Sequence, residues 1–149
     1  MPEPRSVLLV ANRTALMSPL RDAVERRARE GEAKFHLLVP ATPQGLHRVV
    51  DPEVAGREEA QVQLEAALPA LSEAAGTQVS GEVGDADPMA AIQDILAARP
   101  VDEIIVSTLP RRLSRWLKID LPSKARGLGL PVTHVEAEEA EARDAVPAS

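Results

Sequence analysis

Between Val106 and Pro122 the chain reads VSTLPRRLSRWLKIDLP. The stretch holds four cations, Arg111, Arg112, Arg115 and Lys118, and three hydroxyl side chains, Ser107, Thr108 and Ser114. Two kinds of chemistry suit those residue types. Guanidinium groups grip phosphate oxygens in a bidentate fork and need no special backbone to do so. A serine or threonine becomes a nucleophile when a histidine–acid pair activates it. No such pair stands near Ser107, Thr108 or Ser114 in the sequence, and VSTLP is not a nucleophile elbow, so hydrolysis at these hydroxyls is not expected. The cations have two readings of their own. They are solvated or paired with acids, or they hold an anion.

The other candidates are sparse. The histidines, His36, His47 and His134, lack ligand spacing, so structural or surface roles are expected and no metal site is. There is no cysteine, which excludes disulfides and thiolate chemistry. In GDADP, Gly84 permits a tight turn, Asp87 caps a helix that starts at Pro88, and Asp85 is a candidate for the surroundings of a ligand. Trp116 either lids a pocket or anchors a subunit, or else plugs the gap between the basic loop and the short helix after it.

Composition narrows the partners. The net charge is −6, and Phe35 and Trp116 are the only aromatic residues. Nucleic-acid surfaces need a basic footprint and stacking rings, so no nucleic-acid partner is expected. A flavin site would also want rings. No apolar run approaches the ~20 residues of a membrane span, so no membrane partner is expected, and the cytoplasm is the expected location.

These residues need elements to position them. Continuous apolar runs predict buried parallel strands at Ser6–Ala11, Ala33–Pro40 and Val101–Ser107, with weaker ones at Thr77–Val83 and Leu130–Val135. Between them the expected elements are a loop at NRTALM and a helix capped by Ser18 and stopped by Gly31. A second helix carries an apolar stripe at Ala60, Leu64, Ala67, Leu68 and Leu71, with Pro69 kinking or breaking it. A third starts at Pro88, and a short fourth is capped by Asp120. The connection Ala41–Gly56 reads as a long loop. Alternation of this kind predicts an α/β three-layer sandwich with a five-stranded parallel sheet, strand order 3-2-1-4-5. Ligands in such sheets bind beyond the carboxyl ends of the strands, where the order reverses, here between strands one and four. The basic loop flanks that point. The domain is expected over residues 1–135. A flexible acidic tail is expected at 136–149, where five acids outweigh one arginine.

The βα order, the long second connection, the GD turn after strand three and the closing PVTHV resemble the universal stress protein family over nearly the whole chain. Nucleotide-binding members of that family carry Gly-x2-Gly-x9-Gly-Ser/Thr after strand four, with glycines that let backbone amides reach a phosphate. On this chain the spacing survives and the residue types do not. Ser107 and Pro110 fall on the first two glycines, RRLSRWLKI fills the interval, Asp120 falls on the third glycine and Leu121 on the hydroxyl position. Pro110 has no N–H to donate. A carboxylate at Asp120 would repel a phosphate. Where the family places an acid after strand one, this chain has Asn12, followed two residues later by Thr14.

The resemblance implies a non-catalytic small-ligand-binding or regulatory domain whose nucleotide binding is weak, altered or lost. Its candidate ligand contacts are Asn12, Thr14, Val39, Gly84, Asp85, Ser107, Thr108, Arg111, Arg112, Ser114 and Arg115. No cofactor is firmly implied, and ATP or AMP is admitted by position but disfavoured by chemistry. A small anionic ligand and a homodimer through the strand Leu130–Val135 are the expected partners. The alternatives are a ligand-free dimerisation module, or an enzyme that clamps a phosphorylated or adenylated metabolite with its arginines.

Overall fold

The computed structural model describes residues 4–41 and 52–138. Five strands, β1 (Arg5–Val10), β2 (Ala33–Pro40), β3 (Ser80–Gly84), β4 (Glu103–Thr108) and β5 (Val132–Glu136), form one parallel sheet in the order β3-β2-β1-β4-β5. Helices α1 (Ser18–Glu30) and α2 (Pro52–Ala75) lie over one face. Helices α3 (Pro88–Ala98), α4 (Arg115–Lys118) and α5 (Leu121–Arg126) lie over the other. This is the expected three-layer sandwich.

The central strands read as unbroken apolar runs because both of their faces are covered. Val7 and Leu9 of β1 join Leu20, Val24, Leu37, Leu64 and Leu71 in the core under α1 and α2. Leu8 and Val10 point the other way, to Ile92, Ile95, Ile104, Val106 and Leu121. The edge strand β3 is built differently. A Cβ on Gly81 would stand 2.5 Å from Leu64 Cδ1, and one on Gly84 would stand 2.6 Å from Leu38 Cδ1 and 3.0 Å from Ala91 Cβ. Residues of opposite parity face opposite layers, so these two glycines let α2 and α3 each settle closely on the same thin strand.

Several local expectations change. NRTALM is not a plain loop. Arg13–Leu16 form a 3₁₀ turn, opened by Asn12, whose Oδ1 accepts the Arg13 N–H at 2.7 Å. Met17, not Ser18, stands at the cap of α1, and Ser18 is already helical with Pro19 behind it. Of the long connection, residues 42–51, His47 among them, lie outside the described residues, while Pro52–Gly56 already belong to α2. That helix runs through Pro69 without a break. Pro69 and Glu65 are both exposed, so the carbonyl that loses its partner is on the hydrated side. Asp87 caps α3 as expected, accepting the Met89 N–H at 3.1 Å. Asp120 precedes α5 but does not cap it through its side chain. Its backbone is left-handed (φ 56°, ψ 46°), whereas a capping side chain needs an extended backbone to reach the N–H groups of the first turn. Strand β5 takes in Glu136, and Ala137 is buried with its N–H on the Thr108 carbonyl. The body therefore continues two residues into the segment expected as tail, of which 139–149 lie outside the described residues.

Candidate functional site

The carboxyl ends of β1 and β4 lie side by side at the point where strand order reverses. The 3₁₀ turn after β1 leans on β4 and lowers Thr14 into the crevice. Thr14 Oγ1 and Ser107 Oγ meet at 2.5 Å, and each residue is only 2% exposed. The hydroxyl of Ser107, at the position of the first pattern glycine, is thus occupied by the protein itself. Thr108 is equally buried and bonds His134 Nε2 on β5 at 2.8 Å.

The basic loop folds onto its own backbone. The Pro110 carbonyl accepts the N–H groups of Leu113 at 2.8 Å and Ser114 at 3.0 Å. Ser114 then caps α4 by accepting the Leu117 N–H at 3.1 Å. The N–H groups of Leu113, Ser114 and Leu117 are thus engaged within the loop and the turn that follows it. What faces outward is side chain, since Arg111, Arg112, Arg115 and Lys118 are all exposed. Trp116 points the opposite way and is buried in the core with Leu121 and Val106, so it acts as the plug beneath the cations.

The structure pairs Thr14 with Ser107 and Thr108 with His134, sets Asn12 at the opening of the turn after β1, and sets Ser114 at the cap of α4 within the loop that carries the arginines. Val39 is wholly buried at the end of β2. Gly84 ends β3 and Asp85 follows it, three strand spacings from β4, or roughly 14 Å. They line a separate cleft of about 470 Å³ together with Arg57, Glu82 and Asp94. There Gly84 serves helix packing, and Asp85 Oδ1 accepts the Asp87 N–H at 2.8 Å.

No protein-family model and no curated protein sequence matches this chain. Solved structures do. A universal stress protein from Archaeoglobus fulgidus superposes with a TM-score of 0.59 at 16% identity, over 88% of this chain and 93% of that one. A universal stress protein in complex with cAMP gives 0.60 at 17% identity, over 90% and 98%. A structure of a universal stress protein from Archaeoglobus fulgidus in complex with dAMP gives 0.54 at 19% identity, over 91% and 99%. This chain has the universal stress protein fold. Within that fold the Thr14–Ser107 pair bridges the ends of β1 and β4, and the exposed arginines lie in the loop that follows β4. No described helix is long and apolar enough to cross a membrane.

One polar constellation escaped the sequence. His36 on β2, for which a structural or surface role is expected, has its Nδ1 2.7 Å from Ser80 Oγ and its Nε2 2.8 Å from Glu82 Oε1. The signal was Ser80-Gly81-Glu82, two polar residues at the spacing that puts both on one face of a strand. Pairing them with His36 required the β2–β3 register, in which His36 sits beside Ser80. Burial holds His36 below its usual pKa. The hydrogen bond to Glu82 opposes that shift, and Arg99 adds to it. Burial also lowers His134, against Glu136 and with the help of Arg126 and Arg111.

Both shifts have the same consequence for stability. The unfolded chain takes up protons at these histidines at a higher pH than the folded one, so stability is full above about 6.5 and falls as pH drops below it. Melting curves from pH about 7.5 to about 5.5 should show a falling Tm, with a shallower slope in the His36→Gln/His134→Gln double variant. An unchanged slope would show that neither group is desolvated by folding.

Proposed function

We propose that this chain is a small-ligand-binding regulatory domain, non-catalytic at its crevice, that grips an anion with the side chains of Arg111, Arg112 and Arg115 and binds ATP weakly or not at all. One observation carries the reading. The N–H groups of Leu113, Ser114 and Leu117 and the Ser107 hydroxyl are engaged internally, while Arg111, Arg112 and Arg115 are exposed. Guanidinium recognition replaces amide recognition. The complexes of structurally similar proteins with cAMP and dAMP make nucleoside monophosphates the first ligands to try.

A thermal-shift screen of nucleotides, with and without Mg²⁺, tests this at low and moderate salt. A ligand at ~100 times its Kd adds ~2.7 kcal/mol, a shift of several degrees. Any shift seen should weaken with salt and vanish in the Arg111→Ala/Arg112→Ala/Arg115→Ala variant. Micromolar ATP binding with Mg²⁺ in calorimetric titration would overturn the weak-ATP reading. A shift that survives the triple variant would overturn the side-chain reading.

Position favours a homodimer as well. β5 is an edge strand, and an edge with free ladder groups invites pairing with its twin. Sedimentation should give a dimer at micromolar concentration, and a monomer there removes the idea.

A further inference from the structure

We propose that Ser80 is an activated nucleophile, with His36 as its general base and Glu82 as the group that orients the base, in a site that hydrolyses small anionic carboxylic esters. The inference is independent of the crevice, because this site opens at the other end of the sheet. Its geometry comes from parallel pairing. Ser80 and Glu82 share one face of β3, and His36 of β2 reaches both, at 2.7 Å and 2.8 Å.

The carboxylate fixes the roles of the ring nitrogens. Ionised Glu82 can only accept, so Nε2 carries the hydrogen and donates it. Nδ1 is then the free lone pair, and the Ser80 O–H donates to it. That is the proton arrangement of a serine–histidine–acid triad, with the two ring nitrogens exchanged. Burial of the base matches the role. His36 is 8% exposed and held toward its neutral form, while Ser80 is open to solvent.

A space for substrate adjoins the hydroxyl. A cleft of about 230 Å³ is lined by Ser80, His36, Phe35, Lys34 and Arg99. Its size suits a short acyl group, and its two cations favour an anionic one. The charged groups facing the histidine are Glu82 from β3, Arg99 from the end of α3, and Lys34 beside it on β2.

The reaction balances with water alone. Ser80 Oγ bonds to the ester carbonyl carbon while its proton passes to His36 Nδ1. The carbon–alkoxide bond breaks, and the alkoxide leaves as alcohol with that proton. Water then attacks the acyl carbon and gives a proton to His36 Nδ1, the acyl–Oγ bond breaks, and His36 returns that proton to Ser80 Oγ as the acid leaves.

The test uses the full chain and a fluorophosphonate probe, with peptide mass spectrometry to place the adduct. The expected adduct is on Ser80 and is absent from Ser80→Ala. His36→Gln should slow labelling by about 10²-fold or more, the range of general-base assistance. Glu82→Gln should also slow it. The rate should rise with pH through a midpoint below that of free histidine. An adduct only elsewhere, or a rate unchanged in His36→Gln, would overturn the assignment. If His36→Gln unfolds, Ser80→Cys decides instead. Alkylation by iodoacetamide that follows a lowered thiol pKa supports the pair, and alkylation at the ordinary thiol midpoint near ~8.5 overturns it.

Discussion

Trp116→Ala should lower the unfolding free energy by about 3–5 kcal/mol, the cost of removing a large buried aromatic and leaving a cavity. Trp116 is 6% exposed and packs among Leu121, Val106 and Ile92. For a domain of this size the loss amounts to a Tm roughly 10 °C lower. The residue sits on a helix of one turn, Arg115–Lys118, so its anchoring also holds the cations of that turn in place. Trp116→Phe should recover part of the stability. Urea denaturation measures both variants, and a loss below about 1 kcal/mol would mean that the ring is not part of the core.

Thr14→Val should cost about 1–3 kcal/mol, although the side chains are nearly equal in size. The valine leaves the Ser107 hydroxyl buried with nothing to bond, and an orphaned buried polar group costs more than the bond itself contributed. Thr14→Val/Ser107→Ala should be less destabilised than the sum of the single changes, because the orphan is gone. Additive losses in that cycle would show that the two hydroxyls do not depend on each other. The same variants carry functional information. If a ligand binds in the crevice by displacing this pair, the double variant should alter its affinity, whereas arginine-only binding at the rim would leave it unchanged.

The fold was legible because each signal was local. SVLLVA and EIIVS are too short and too apolar for anything but strands covered on both faces, and Asp87-Pro88 marks a helix start in two residues. Five such strands alternating with helices leave few topologies. The basic loop was legible for a similar reason, since its cations follow β4 directly. What stayed hidden depended on pairs far apart in the chain. Thr14 and Ser107 are 93 residues apart, and their bond needs the strand order, the depth of both side chains and an unexpected 3₁₀ turn. The His36–Ser80–Glu82 chain needs a register that periodicity alone does not fix. Asp120 misled in the opposite sense. Its position before a helix is what a capping residue occupies, and only the sign of its φ angle shows that its side chain does not cap.

That φ angle separates two things a glycine does. Asp120, aligned with the third glycine of the resembled pattern, has a left-handed backbone without being a glycine. Asp and Asn are the non-glycine residues that visit this region most readily, so the shape persists at modest strain. The curve of the chain into α5 is therefore a property of the architecture, enforced by the burial of Leu121 and Pro122 behind it. The bare Cα that would let an anion approach is a property of residue choice. At Asp120 the path of the chain and the chemistry it presents are therefore set separately, the first by the backbone turn into α5 and the second by an exposed carboxylate.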